Sequence, residues 1–205
     1  TILVAEGQAA VARGEAQVGT QKFQQAILVF REVLTLPIST NEHRGVMDLA
    51  HLAVARLYYE TGDIPAAIAE YTQITSASSA YADALYEMIW ANIEAAGQMT
   101  GTAEGGPSVG GLVFERSRKY EEALRAIEIF NLAFPDDPRE PALRLLGGHV
   151  RVRMEQFEGA IEHYERAAEH FHDLKQVVDQ IVSSGADPMI YFNQLVEDNF
   201  VAEAD

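Results

Sequence analysis

The stretch Phe23-Gln24-Gln25-Ala26-Ile27-Leu28-Val29-Phe30 decides how this chain is read. Phe23, Ala26, Ile27 and Phe30 recur at i, i+3, i+4 and i+7, the spacing that gathers apolar side chains into one stripe of an α-helix. Two later stretches repeat the stripe, Tyr120-Glu-Glu-Ala123-Leu124-Arg-Ala-Ile127 and Phe157-Glu-Gly-Ala160-Ile161-Glu-His-Tyr164. A fourth segment carries Ala55, Tyr58, Gly62, Ile64, Ala67, Tyr71 and Ile74 in a matching order. Strand-like alternation is scarce throughout, so the expected fold class is all-α.

On either side of these stretches the pattern fills out into about four helix–turn–helix units. The first is Gly14, Phe23, Ala26, Phe30 and Val33. The third begins at Trp90, Ile93 and Gly97 and resumes at Tyr120, Ala123, Ile127, Phe130 and Pro135. The fourth is Gly148, Phe157, Ala160, Tyr164 and Ala167. In three units a small residue precedes the alanine by twelve positions: Gly14 and Ala26, Ala55 and Ala67, Gly148 and Ala160. Such a unit cannot bury its apolar side alone, and stacking on its neighbours makes one continuous core. Gly62-Asp63 reads as the break between two helices, with Asp63 as N-cap and Pro65 in the first turn.

The alanines at 26, 67, 123 and 160 are 41, 56 and 37 residues apart, against about 34 in an unbroken array of the family that the pattern resembles, named below. The excess predicts a linker near Leu36-Pro37-Ile38-Ser39-Thr40-Asn41 and an insertion over 99–118 in the third unit. Past the repeats, His172 to Ser183 is expected to form a further helix that ends near Gly185. Asp187-Pro188 is expected to open a last amphipathic helix with Ile190, Phe192, Leu195, Val196 and Phe200. The expected organisation is an array over 1–172 followed by capping helices over 173–205, since arrays need a polar-faced cap.

Composition narrows the function. There is no cysteine among the 205 residues, which excludes thiol nucleophiles, disulfides and iron–sulfur clusters. Net charge is −16, so nucleic acid would be repelled by most of the surface. Residues 154–205 carry 2 basic and 12 acidic side chains, read either as a solvated helix face or as a docking surface for a basic partner. No run of apolar residues is long enough to span a bilayer. The chain opens at Thr1 without a leader pattern and reads as a fragment or mature form, so targeting information is missing.

Several motifs invite chemistry. Gly106-Pro107-Ser108-Val109-Gly110 matches G-x-S-x-G, but a nucleophile elbow needs a strand turning sharply into a helix, and helix precedes it here. Gly105 to Gly110 has phosphate-loop spacing but continues Gly111-Leu112, without the Lys and Ser/Thr that hold phosphate and metal. Glu169 and His172 make one Glu-x-x-His, with His170 between them and His163 a heptad earlier; a di-metal bundle needs two such pairs. The expectation is therefore no catalytic residue, no metal and no cofactor, with Ser108 or Glu169/His172 kept as the less favoured hydrolytic or metal-binding alternative. Trp90, with Tyr81, Tyr86 and Ile93, is expected to pack in the core and fill the widened third unit.

The pattern of small, aromatic and apolar residues resembles the tetratricopeptide repeat, over roughly residues 6–172. The resemblance implies a right-handed superhelix (an α-solenoid) whose first helices line a concave groove that holds a peptide or helix of another protein. Projected onto the family pattern, that wall consists of Val11 and Glu15 in the first unit and Leu49, Leu52, Arg56, Tyr59 and Glu60 in the second. Glu87 and Glu94 follow in the third, and Leu145, His149, Val152 and Arg153 in the fourth. The Lys/Asn clamp with which some members grip a terminal carboxylate is not matched. The wall suggests an amphipathic or partly basic ligand with Tyr59 and Arg56 as anchors; the alternative is that these residues face solvent or pack on the terminal helices. Tyr81 to Trp90 and Asp187 to Val196 look like segments of bacterial envelope proteins of this family, including those of gliding-motility and outer-membrane machinery. The expected function is a non-enzymatic protein-interaction scaffold in a multi-protein assembly, periplasmic or envelope-associated, with the cytoplasm as alternative. Self-association as a purely structural solenoid is the competing reading.

Overall fold

The computed structural model describes residues 2–99 and 109–183, and every regular element among them is an α-helix. In chain order these are α1 (Ile2–Ala12), α2 (Ala16–Leu34), α3 (Asn41–Glu60), α4 (Ile64–Tyr71), α5 (Tyr81–Gln98), α6 (Val109–Ala133), α7 (Glu140–Arg153) and α8 (Phe157–Ser183). Every extensive contact is between helices adjacent in the chain. The molecule is thus a succession of packed helix pairs, α1–α2, α3–α4, α5–α6 and α7–α8, as the stripes in the sequence require.

Local chemistry explains the boundaries. Thr40 accepts from the His43 amide at 3.2 Å and caps α3, and Asp63 accepts from the Ala66 amide at 3.2 Å and caps α4, with Pro65 in its first turn. Three of the four pairs share one turn. The amides of Glu15, Asp63 and Gln156 each bond a carbonyl five residues back, on Ala10, Tyr58 and Arg151, all at 2.9 Å. The residue just before each donor sits in the left-handed region: Gly14 at φ 80, Gly62 at φ 81 and Glu155 at φ 60. This is the C-terminal motif in which a left-handed residue lets the chain close on the helix it leaves.

These turns set the register of the units, and the first unit differs from the sequence reading. Gly14 is a turn residue, equivalent to Gly62, and not the small residue at the helix contact. Counting from the turns, the contact residues seven positions earlier are Gly7, Ala55 and Gly148, and those five positions later are Gly19, Ala67 and Ala160. All six are buried. An aromatic residue follows nine positions after each turn, at Phe23, Tyr71 and Tyr164. A Cβ on Gly7 would lie 2.5 Å from Phe23 Cε1, and one on Gly148 would lie 2.5 Å from Tyr164 Cε1. The same aromatic-on-small contact therefore recurs in the first and last pairs. Ala26 is buried, but one heptad beyond the position assigned to it.

Two further differences concern helix extent. α2, α4 and α8 each begin three residues before their small contact residue, whereas α6 begins at Val109, eleven residues ahead of Tyr120, the equivalent start. Residues 109–118 of the expected insertion are thus helix. α8 runs unbroken from Phe157 to Ser183, so the separate helix expected from His172 is the second half of one long helix. Gly185, Asp187-Pro188 and the apolar positions from Ile190 to Phe200 lie outside the described residues.

The core is a chain of small clusters between neighbours. Phe23, Ile27, Val54 and Leu57 join the first two pairs; Leu85, Ile89, Ile127, Phe130 and Leu143 join the third and fourth. Burying a side chain such as Phe130 or Ile89 fully contributes about 1.5–3 kcal/mol each. No helix among the described residues is long and apolar enough to cross a membrane.

Candidate functional site

α1, α3 and α5 are the first helices of three successive pairs, and with parts of α2 and α4 they enclose a cleft of about 700 Å³. Val4, Ala5 and Gln8 of α1 form one side. Ala53, Arg56, Leu57, Tyr59 and Glu60 of α3 form the middle, and Glu87 and Trp90 of α5 the other side. Phe23, Phe30 and Tyr71 close the rest of the lining. Most of the lining is apolar, as in sites that take a side chain out of water.

One polar seam crosses it. Arg56 Nε donates to both Glu87 carboxylate oxygens at 2.9 Å, and the Tyr71 hydroxyl donates to Glu87 Oε2 at 2.9 Å. Asp83 lies 3.6 Å from the same guanidinium. The hydrogen bonds to Glu87 hold the Arg56 pKa above its ordinary value. Burial, helped by the negative charge of Glu87, pushes the Tyr71 phenol well up. Tyr59 is raised by burial and by the charges of Glu94 and Glu60.

The seam continues away from the cleft. Asp83 also accepts from Arg139 Nη1 at 2.8 Å, and Arg139 donates to Asp137 at 2.9 and 2.8 Å. That guanidinium stacks over Tyr86 and Phe130, 5.1 and 5.3 Å from the ring centres. Asp83 therefore links α3, α5 and the turn before α7, fixing three helix pairs relative to one another.

The thirteen residues projected onto the wall separate into groups. Arg56, Tyr59, Glu60 and Glu87 meet in the cleft, and Glu94 stands close enough to Tyr59 to act on it. Leu52 does not face the cleft; it is 4% exposed and packs in the core with Ala55 and Ala67. Leu49 is exposed outside the cleft lining. Val11 touches the position where Gly19 lacks a side chain, and Glu15 precedes α2, paired with Arg13 at 3.0 Å. Neither lines the cleft. Both were displaced by the seven-residue register difference: seven positions earlier stand Val4 and Gln8, which do line it.

In the fourth unit the wall is not continuous with this site. His149 Nδ1 is 2.6 Å from the Tyr164 hydroxyl, tying α7 to α8. Leu145 and Val152 stay partly exposed, and Arg153 lines a separate hollow of about 200 Å³ with Tyr120 and Met154.

Trp90 was expected in the core; it is 42% exposed, lines the cleft and meets Tyr86 edge-on at 6.5 Å. The core positions beside it go to Ile89 and Ala91, both fully buried. The signal was available: Glu87, Trp90 and Glu94 share one helix face at i, i+3 and i+7, so two carboxylates assigned to the wall place Trp90 there too.

Among the described residues no group of three His, Asp or Glu side chains converges as a metal site would require. Glu169 and His172 are exposed on α8, and His172 Nε2 lies 2.8 Å from Gln176 Nε2. Ser108 lies outside the described residues. No protein-family model matches this chain, and no curated protein matches it.

Proposed function

We propose that this chain is a non-enzymatic scaffold of the tetratricopeptide type, a right-handed superhelix whose cleft takes a peptide or helix from a protein partner in a larger assembly. The observation that carries this reading is the cleft itself: about 700 Å³, walled by successive first helices, with Tyr59 36% and Trp90 42% exposed at its mouth. Partly exposed aromatic side chains over an apolar floor are what anchor residues of a partner bury most productively. With the first unit re-registered on its turn, the family projection and the cleft lining agree at Val4, Gln8, Arg56, Tyr59, Glu60 and Glu87. The bacterial envelope is the compartment the sequence resemblance favours, and the cytoplasm is the alternative.

Trp90 is the only tryptophan, so its emission reports the cleft directly. A displayed library of short peptides is panned on the chain, and selected peptides are titrated while Trp90 fluorescence is followed. Selected peptides should shift the emission and lose affinity at least tenfold on Tyr59→Ala, the effect of removing one hot-spot side chain at about 2 kcal/mol. Peptides that bind without moving Trp90, or that ignore Tyr59→Ala, would place recognition elsewhere.

A second reading has its own support. Phe157, Ile161, Val178 and Val182 of α8 are all more than half exposed, which suits a solenoid that self-associates through its end. A molar mass that rises with concentration in light scattering would favour it.

A further inference from the structure

We propose, resting on the peptide-groove reading above, that the cleft selects a cationic segment: a Lys or Arg beside apolar anchors, its charge held between Glu60 and Glu94 against the rings of Tyr59 and Trp90.

The charge inventory of the cleft carries the inference. Arg56 is the one basic side chain among the lining residues. Its guanidinium is already committed, with two bonds of 2.9 Å to Glu87 and Asp83 at 3.6 Å. Glu87 is equally committed, to Arg56 and to the Tyr71 hydroxyl. An incoming carboxylate would have to break that fork and would leave Glu87 facing Tyr71 alone in a part-buried site, a costly exchange.

The uncommitted charges are negative. Glu60 lines the cleft at the end of α3, and among the described residues it has no ion pair or hydrogen-bond partner. Among the described residues Glu94 accepts only a neutral bond, from the Gln98 side-chain amide at 3.1 Å. Both carboxylates bear on the Tyr59 phenol. Glu94 stands one helical turn from Trp90 on α5, so both face the same way. A cation at this point would have two carboxylates and two aromatic side chains as neighbours, each able to contribute attraction at a partly desolvated surface. The apolar lining of Val4, Phe23, Phe30 and Leu57 accepts the neighbouring side chains. Residues 1–100, which build the whole cleft, carry 5 basic and 11 acidic side chains, so the surrounding field has the same sign.

The test uses three fluorescein-labelled amphipathic helical peptides with one shared Leu stripe and Lys, Gln or Glu at two flanking positions. Their binding to the 205-residue chain is followed by anisotropy at low and high salt. The Lys peptide should bind about tenfold tighter than the Gln peptide, from two exposed ion pairs, with the Glu peptide weakest and the differences shrinking at high salt. Glu60→Gln with Glu94→Gln should bring the Lys peptide to the affinity of the Gln peptide. Glu60→Lys with Glu94→Lys should make the Glu peptide the tightest of the three. Equal affinity for the Lys and Gln peptides, or a Lys preference that survives the double Gln variant, overturns the inference. If all three bind equally and are lost on Tyr59→Ala with Trp90→Ala, the groove stands and the cation selectivity falls. If none binds and no library peptide moves Trp90, the groove reading fails, and this inference with it.

Discussion

Gly7→Ala tests the register that the turns impose. Its Cβ would fall 2.5 and 2.7 Å from Phe23 Cε1 and Cδ1, separations that real side chains do not sustain. The ring is 3% exposed and packed among Ala26, Ile27, Val54 and Leu57, so it can yield only by shifting toward the cleft that it lines. Overpacking of this kind costs about 1–3 kcal/mol, and the gain in helix propensity on replacing glycine returns up to about 1 kcal/mol. The expected net effect is a loss of up to about 2 kcal/mol. Gly45 is the control: it lies in α3 with nothing within 4 Å of a built Cβ, so Gly45→Ala should gain up to about 1 kcal/mol. Urea titration followed by circular dichroism reads both. Amide exchange in α1 and α2 reads Gly7→Ala locally, since the units of such an array can open separately. A double-mutant cycle completes the test. Phe23→Leu removes the clashing ring atoms, so Gly7→Ala should cost markedly less in that background. Gly14→Ala should show no such coupling, because Gly14 meets nothing within 4 Å and its cost is the left-handed backbone alone. If Gly7→Ala stabilises the protein as Gly45→Ala does, or if Gly14 rather than Gly7 couples to Phe23, the register is wrong.

Glu155 holds φ 60 where the other turns have glycine. Glu155→Gly should therefore raise the urea midpoint, by up to about 1 kcal/mol of stability. His163 packs against Gly147, and burial, then Arg151 and Arg166, hold its pKa below the ordinary value. The fold keeps the neutral ring, so this contribution is intact above the unfolded value of about 6.5 and is lost as pH falls through the lower folded value. His163→Gln should flatten the acid side of a stability–pH profile, and an NMR titration should show a depressed midpoint for His163. Arg139→Lys should cost about 1–2 kcal/mol although charge is kept, because an ammonium cannot span Asp137 and Asp83 while stacking on Tyr86 and Phe130; an unchanged thermal midpoint would show the fork to be idle.

Fold class was legible because the apolar stripe has a helical period wherever it is sampled, and no strand pattern competes with it. Register was less so, for a physical reason. Seven residues are close to two helical turns, so Gly14 with Ala26 and Gly7 with Gly19 show the same twelve-residue spacing on nearly the same face. Only the left-handed turn distinguishes them, and Gly14 carries no mark in the sequence that Gly7 and Gly19 lack. Four of the thirteen cleft-lining residues, Arg56, Tyr59, Glu60 and Glu87, are among those that projection onto the family pattern had put on the wall. Leu52 was misplaced because a helix facing both its pair mate and the next pair buries a wider arc than a single stripe suggests. Trp90 was assigned to the core on its type, although its helix face already held Glu87 and Glu94. The second half of α8 was read as a separate helix because it lies past the last repeat, where the repeated pattern offers no further position to count from.

Arg56 looked in the sequence like a ligand anchor, and in the structure its guanidinium is bonded to Glu87. Its fork ties α3 to α5 through Glu87, so the charge that a partner would have used is spent within the fold. On the proposed reading, stability and selectivity are joined in one side chain, and Arg56→Leu separates the two roles. Glu87, 24% exposed with the fork intact, keeps among the described residues the Tyr71 hydroxyl as its partner when the fork is lost. A part-buried carboxylate deprived of its ion pair should cost about 1–3 kcal/mol in urea titration. The same substitution adds an uncompensated negative charge to the cleft, so the Lys peptide should bind tighter while the protein becomes less stable. A residue that contacts the partner directly would move both quantities in the same direction. Opposite shifts therefore identify Arg56 as internal wiring, and a loss of peptide affinity alongside stability would return it to the binding surface.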